Sequence, residues 1–254
     1  MATLQMNFLS MKLGMQTNVS VFIPAKKSGR TLWLLADETG DDSQWLRESA
    51  ITRVAEKYGF AVVFPCPFEK LYSEENPGQK FTSYITEELW AVCTGMFQLS
   101  QKREDNFIAG ASLGAYGALK CALTAPEKYS KVVMLGGAFE EDIKGGYLEA
   151  VKKQMAEAGL VPPLALDDAP ADDAELLTKA ALAKAEGKPL PKLWIGYAGA
   201  SPLARYAGRA AVNLSVQGFE LASSMEYEGP DDWDFRDLAL KDAAAWLANC
   251  GKEA

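Results

Sequence analysis

The chain has 254 residues, of which 48% are hydrophobic and 24% are charged. This composition is typical of a globular domain with a sizeable core and excludes a disordered chain. The net charge of -8, with no long basic run, argues against nucleic acid or an anionic membrane as a partner. No stretch approaches membrane-spanning length and the N-terminus has no signal-peptide pattern, so we expect a cytoplasmic protein.

The cysteines are widely spaced and form no C-x-x-C pair, and the chain contains no histidine. Both facts argue against a zinc site. We therefore expect no metal or other cofactor, and reduced thiols are the expected state in a cytosol. Disulfides remain an alternative that the sequence leaves open for Cys66, Cys93, Cys121 and Cys250.

The first elements along the chain change from an alternating pattern to a continuous apolar one. Residues 5–11 and 18–23 alternate apolar and polar side chains, which predicts a β-hairpin. Residues 31–35 are continuously apolar, as expected of a strand buried on both faces of a parallel sheet. A helix is predicted over 44–58, with Gly59 as its C-terminal cap.

From residue 61 onward, strand and helix patterns alternate, which predicts a mostly parallel sheet with helices on both faces. With the hairpin as an antiparallel edge, the sheet has eight strands. The later predicted strands are 61–64, 106–109, 131–135, 193–197 and 220–226, and the predicted helices are 83–97, 113–124, 204–217 and 235–249.

Residues 139–191 are longer than a crossover between strands requires. Helical patterns at 147–158 and 174–186 flank a stretch rich in Asp, Pro and Ala. We expect a helical insertion within a single domain, 1–254. Two alternatives stay open for it, a lid that covers the substrate or two extra packing helices.

The sequence Gly110-Ala111-Ser112-Leu113-Gly114 fits the G-x-S-x-G pattern of a nucleophile elbow and lies between a predicted strand and a predicted helix. Such a turn lifts the serine hydroxyl above the sheet, so we expect the Ser112 hydroxyl to be open to a pocket. The Leu113 N–H then becomes an oxyanion donor. The alternative is a glycine-rich turn selected only for tight packing of strand and helix.

The chain resembles the esterase D group of α/β-hydrolases, in particular the bacterial tributyrin esterase and feruloyl esterase branch, which is related to S-formylglutathione hydrolase. The resemblance implies an α/β-hydrolase fold and hydrolysis of small acyl or aromatic esters, and homo-oligomers are frequent in such proteins. It is carried by the elbow and by Met6-Asn7-Phe8, Ile23-Pro24, Gly40-Asp41-Asp42 with Trp45, Pro191-Lys192-Leu193 and Gly229-Pro230 before Asp232-Trp233-Asp234-Phe235.

The resemblance places the nucleophile of a Ser-His-Asp triad at Ser112, but the other two positions are substituted. The family aspartate after the seventh strand falls on Pro202, and the family histidine after the eighth falls on Asp231. A second histidine, in the family's L-L-H-G turn, falls on Ala36. The second oxyanion donor is then expected from the backbone near Asp37 and Glu38.

These substitutions matter because a serine hydroxyl is a weak nucleophile until a base takes its proton. Asp231, with an ordinary aspartate pKa of about 3.9, is a poor acceptor unless burial raises that pKa by several units. A lysine base of the S-x-x-K type is also missing, since the residue three after Ser112 is Ala115.

Carboxylates are dense in the loops expected to flank the elbow. They would oppose the negative charge of a tetrahedral intermediate, and they could favour a cationic ligand or calcium. The alternative is that they cap helices or point to water, as the positions of Asp41, Asp42 and Asp234 before predicted helices suggest. The acidic residues are Asp37, Glu38, Asp41, Asp42, Asp231, Asp232 and Asp234.

Three functions follow from the sequence. The favoured one is a degenerate esterase that binds small esters but is inactive or very slow. The second is an active carboxylesterase whose base is an unrecognised group, such as Asp231 with a raised pKa or a bound water. The third is a binding or assembly protein on a hydrolase scaffold, because fold does not dictate function.

Overall fold

The computed structural model describes residues 1–66, 80–137, 146, 148–157, 159–160, 180 and 183–249. Its centre is one eight-stranded sheet with the order β1-β2-β4-β3-β5-β6-β7-β8. β1 and β2 form an antiparallel edge, β2 pairs antiparallel with β4, and every other pair is parallel. The predicted mostly parallel α/β sheet with its antiparallel edge is therefore confirmed. The strands are β1 Ala2–Ser10, β2 Met15–Ile23, β3 Thr31–Leu35, β4 Ala61–Pro65, β5 Asn106–Ala111, β6 Lys131–Leu135, β7 Lys192–Ala198 and β8 Leu221–Tyr227.

The helices agree with the predicted pattern except near residue 50. The single predicted helix 44–58 is wrong, because Ser49 adopts an extended conformation and separates two helices. The predicted cap is present, since Gly59 is left-handed with φ 72°. The helices are α1 Gln44–Glu48, α2 Ile51–Tyr58, α3 in three consecutive segments (Phe81–Ser83, π-helical Tyr84–Leu89 and Trp90–Phe97), α4 Leu113–Thr124, α5 Leu148–Glu157, α6 Ala204–Val216 and α7 Trp233–Ala248.

The apolar core lies on both faces of the sheet. Along β3, Trp33 and Leu35 pack on one face and Leu32 and Leu34 on the other. The first face is covered by α3 to α6, and the second by α1, α2 and α7. Because both faces are covered, strands in the middle of the sheet are apolar at nearly every position, as a parallel sheet requires.

The insertion is described only in part. α5 buries Leu148, Val151 and Met155 against the core, which agrees with the predicted helix over 147–158. Most of the predicted helix 174–186, and most of residues 139–191 generally, lies outside the described residues. The lid therefore stays a prediction.

Two further predictions concern the membrane and the cysteines. None of the helices in the described ranges is long and apolar enough to span a membrane. Cys66, Cys93 and Cys121 carry thiols rather than disulfides, while Cys250 lies outside the described residues.

The backbone turns sharply at Ser112, between the end of β5 and the start of α4. Ser112 has φ 51° and ψ -120°, a conformation that costs about 1–3 kcal/mol for a residue with a side chain. Its N–H donates to the Leu135 carbonyl at 3.0 Å, and its own carbonyl accepts from the Ala115 N–H at 3.0 Å. The strand-to-helix turn predicted by the sequence is therefore present.

The two outer glycines of the turn are required by close backbone contacts. A Cβ atom on Gly110 would lie 2.2 Å from the Gly114 carbonyl oxygen, and one on Gly114 would lie 2.3 Å from the Ala36 carbonyl oxygen. Packing thus accounts for both glycines. Packing does not account for the strained conformation of Ser112, which favours the elbow over a simple packing turn.

We expect Gly114→Ala to lower the free energy of unfolding by about 3 kcal/mol, because the new methyl group overlaps the Ala36 carbonyl. Urea unfolding followed by circular dichroism measures the change. The matched control is Gly95→Ala in α3, where a Cβ atom meets nothing within 4 Å. That substitution should raise stability by about 0.5–1 kcal/mol through helix propensity. Equal effects of the two substitutions would contradict the close approach at Gly114.

Candidate active site

The hydroxyl of Ser112 is covered by a glutamate. Ser112 is only 3% exposed, and its Oγ donates a hydrogen bond to Glu38 Oε1 at 3.1 Å. Glu38 follows β3 on the loop whose Ala36 carbonyl contacts Gly114. A carboxyl group from the neighbouring loop therefore lies against the hydroxyl, and the expectation that this hydroxyl opens to a pocket stays a prediction.

The same carboxyl group also contacts the expected oxyanion donors. The Leu113 N–H donates to Glu38 Oε2 at 3.4 Å, and the backbone N–H of Glu38 donates to its own carboxyl group. The Asp37 N–H is directed elsewhere, to Gln44 Oε1 at 3.4 Å. Of the three residues predicted to supply oxyanion donors, Leu113 and Glu38 therefore direct their N–H groups to one place, and Asp37 does not.

The ionisation of Glu38 is shifted strongly by this environment. Desolvation of the Glu38 carboxyl group is the main cause, and the nearby negative charge of Asp37 adds to it. Together they raise the pKa of Glu38 to about 7. The hydrogen bonds from its own N–H and from Ser112, and the charge of Arg236, oppose that increase. Near neutral pH the group over Ser112 therefore exists in both the protonated and the ionised form.

Arg236, on the first turn of α7, links two of the predicted acidic residues. Its Nη1 donates to Asp37 Oδ2 at 2.5 Å and its Nε donates to Asp231 Oδ1 at 3.2 Å. All three side chains are largely shielded from solvent, with exposures of 12% for Arg236, 6% for Asp37 and 7% for Asp231. Arg236 was not predicted from the sequence. Its position one helical turn after an acidic loop was the available signal.

Arg236 affects the two aspartates differently. Burial raises the pKa of Asp37, but Arg236 and hydrogen bonds from Gln44 and Thr39 outweigh burial, so the net pKa lies below its ordinary value. For Asp231, burial dominates over Arg236, and its pKa lies above the ordinary value. Asp37 is accordingly held as a carboxylate, whereas Asp231 accepts a proton more readily than a free aspartate.

Of the other acidic residues, Asp234 is exposed on the first turn of α7, and the remaining three accept hydrogen bonds. Asp232 caps α7 by accepting from the Phe235 N–H at 3.0 Å, and Asp41 accepts from the Ser43 N–H and from Arg47. Asp42, expected to cap a helix or point to water, is instead buried and accepts from Ser20 Oγ at 2.6 Å. Within the described part of the chain, no group of three or more His, Cys, Asp or Glu side chains is arranged to hold a metal.

The two substituted family positions lie on adjacent loops. Asp231 approaches the elbow, because its Oδ2 lies 3.4 Å from the position of a Cβ on Gly136, the residue after Leu135. Pro202 is exposed in the turn between β7 and α6. The β7 loop joins the β8 loop through a hydrogen bond from the Ala200 N–H to the Gly229 carbonyl at 3.0 Å. The assignment of Pro202 and Asp231 to the family's aspartate and histidine positions stays a prediction.

We expect Arg236→Gln to lower the free energy of unfolding by about 3–5 kcal/mol near pH 8, because it leaves two buried carboxyl groups without their cation. The lowered pKa of Asp37 means that its stabilising contribution is present above the unfolded pKa and is lost as pH falls. The difference between wild type and variant should therefore shrink as the pH falls below about 4, the ordinary pKa of an aspartate.

Urea unfolding across this pH range measures the effect. The control is Arg47→Gln, which removes the exposed pair with Asp41, whose side chains are 52% and 53% exposed. That change should cost less than about 1 kcal/mol. An Arg236→Gln effect as small as the control would show that Asp37 and Asp231 do not depend on Arg236.

Comparison with known proteins finds relatives among esterases. The chain is 26% identical over 270 residues to the acetyl esterase of Caldicellulosiruptor saccharolyticus, covering 98% of each protein. It is 28% identical over 147 residues to the S-formylglutathione hydrolase of Bos taurus, covering 48% of this chain and 52% of that protein.

Two solved structures from Staphylococcus aureus cover nearly the whole fold. The S-formylglutathione hydrolase superposes with a TM-score of 0.78 at 27% identity, over 98% of this chain and 99% of that chain. The fluorophosphonate-binding serine hydrolase F superposes with a TM-score of 0.79 at 29% identity and the same coverage. Residues 10–195 match the family model described as "Putative esterase". The chain therefore belongs to this esterase family and has its α/β-hydrolase fold.

Proposed function

We propose that this protein binds small acyl or aromatic esters, or their acids, at Ser112 and hydrolyses them very slowly or not at all. The observation that carries the proposal is that the chain has no histidine, while the Ser112 hydroxyl donates to Glu38. The relatives named acetyl esterase and S-formylglutathione hydrolase support small acyl groups as the substrate class.

The chemistry of ester hydrolysis explains the low expected rate. The serine needs a base while the carbonyl oxygen of the ester is held by oxyanion donors. Here Glu38 Oε2 accepts from the Leu113 N–H. The adjacent residue, Asp37, has a pKa below its ordinary value and is therefore negatively charged. These carboxylates would destabilise the negative charge that develops on a tetrahedral intermediate.

One observation favours an active carboxylesterase as the second candidate. Glu38 Oε1 lies 3.1 Å from Ser112 Oγ, and its pKa of about 7 suits a general base near neutral pH. The objection is geometric, because the same carboxyl group contacts the Leu113 N–H, where the ester carbonyl must bind. Glu38 would have to leave this donor and still reach Ser112 Oγ.

We expect the kcat for p-nitrophenyl butyrate to lie about 10⁶ below that of a competent triad enzyme, because the serine has no histidine base. Ser112→Ala should therefore change the rate little. The measurement is steady-state hydrolysis across neutral pH, with Ser100→Ala as the control for loss of a hydroxyl at the other end of β5.

Two results would contradict this expectation. A wild-type kcat of about 1–10³ s⁻¹ that Ser112→Ala abolishes would show a working nucleophile. If that activity rose with pH around pH 7 and was also lost in Glu38→Gln, the second candidate would replace the first.

Rebuilding the family's triad should restore measurable esterase activity only if Glu38 is also removed. Asp231→His supplies the base, Pro202→Asp supplies the aspartate that orients it, and Glu38→Ala frees the Leu113 N–H. We expect the triple variant to exceed wild type by about 100-fold or more in kcat/KM, since general base catalysis contributes about 10²–10⁴. The matched control replaces Asp231→His with Asp234→His, at an exposed residue on the first turn of α7. Equal rates for the two triple variants would contradict the placement of the histidine position at Asp231.

A further inference from the structure

The contacts of the Glu38 carboxyl group resemble those that an acyl group needs at a serine nucleophile. One oxygen lies beside Ser112 Oγ at 3.1 Å and the other accepts from the Leu113 N–H at 3.4 Å. The backbone N–H of Glu38 donates to the same carboxyl group. Three donors from two loops therefore converge on one carboxyl group.

We propose that Glu38 is a built-in occupant of the oxyanion site and that a short-chain carboxylate binds there when Glu38 is displaced. The inference rests on the proposed function in placing the ligand at Ser112. It adds the ligand class and the residue that controls access.

The donors explain why a carboxylate is the ligand. A hydroxyl and two backbone N–H groups can all be satisfied by two adjacent acceptor oxygens, as a carboxylate provides. The Leu113 N–H opens the 12-residue helix α4, whose positive end favours an anion. Glu38 itself shows that a carboxyl group fits this space without displacing Ser112 from its strained turn.

Glu38 competes with such a ligand in two ways, because it already binds the same donors and because its negative charge repels a carboxylate. An external carboxylate would need the same donors and would lie within a few ångströms of Glu38, where two negative charges repel. The charges that act on Glu38 are Asp37 on the same loop and Arg236 on α7, and Asp231 pairs with that same arginine. Because Arg236 already pairs with both aspartates, its positive charge is largely neutralised and does little to offset that repulsion.

Glu38 is also the acidic residue here that can leave most easily. Asp37 and Asp231 are buried in ion pairs with Arg236. Glu38 is partly exposed, and no ion pair within the described ranges holds it. Moving its side chain breaks hydrogen bonds but leaves the Arg236 pairs intact.

Isothermal titration calorimetry with sodium butyrate near pH 8 tests the proposal on the full chain. We expect Glu38→Ala to bind butyrate at least about tenfold more tightly than wild type, because it removes both the charge and the occupant. Glu38→Gln should fall between the two, since it removes the charge and keeps the shape. The control is Glu104→Ala, at an exposed residue before β5, at the end of the strand opposite Ser112.

A second readout observes the donor directly. The amide proton resonance of Leu113 should shift with pH around pH 7 in wild type as Glu38 ionises, and this shift should disappear in Glu38→Gln. In Glu38→Ala, butyrate should shift the same resonance. Thermal unfolding checks that each variant is folded.

The outcomes separate this inference from the proposed function. Butyrate affinity in Glu38→Ala equal to that in wild type, with no butyrate-dependent shift of Leu113, would overturn the occupant role whatever the esterase rate. Fast Ser112-dependent hydrolysis by wild type would instead overturn the proposed function. Loss of that hydrolysis in Glu38→Ala would overturn both, because Glu38 would then be the base.

Discussion

The close approach of the Ala36 carbonyl to Gly114 determines the geometry of the site. The approach leaves no room for a Cβ atom on Gly114, so the loop after β3 lies directly against the first turn of α4. That contact places the residue two positions after Ala36 above the elbow. Glu38 reaches both Ser112 Oγ and the Leu113 N–H for this reason. The identity of residue 38 therefore determines which side chain contacts Ser112 Oγ and the Leu113 N–H.

Arg236 lies beside the three nearby acidic residues and affects the pKa of each of them. It donates to Asp37 and to Asp231, and these bonds together with Gln44 and Thr39 keep the pKa of Asp37 low. The fixed charge of Asp37 in turn adds to burial in raising the pKa of Glu38 to about 7. The network thus concentrates negative charge beside Ser112 and leaves the residue over the serine able to titrate near neutral pH.

The sheet and the elbow could be predicted from the sequence because local patterns determine them. Strands covered on both faces are continuously apolar, as residues 31–35 are, and G-x-S-x-G between a strand and a helix specifies a strained turn. The break at Ser49 was not predictable in this way. It depends on Ser49 donating to the Trp45 carbonyl and on Asp237 of α7 accepting from the Ala50 N–H.

The partners of the acidic residues were the least predictable feature. Sequence showed that carboxylates are dense in two loops, but the partner of each carboxylate lies far away in the chain. Arg236 is 199 residues from Asp37, and Ser20 is 22 residues from Asp42. Position before a helix predicted capping for Asp42, whereas tertiary packing buried it against β2. Only the fold brings these partners together, so local spacing could not distinguish a cap, an ion pair and the occupant of a site.

Asp37 and Asp231 form one electrostatic unit with Arg236 rather than two independent substitutions. By the resemblance described above, Asp37 lies at the family's glycine in the L-L-H-G turn and Asp231 at its histidine, and both pair with Arg236. Replacing Asp231 alone would leave Arg236 with one aspartate and change the charge that acts on Glu38. Contacting residues of this kind show interaction free energies of about 0.5–3 kcal/mol, so their effects do not add. A histidine at position 231 would therefore meet a positive neighbour, which lowers its pKa, while Glu38 would still contact Ser112 Oγ and the Leu113 N–H. Under the proposed function, the missing histidine and the position of Glu38 are therefore two separate barriers to catalysis, and replacing residue 231 alone would leave the second in place.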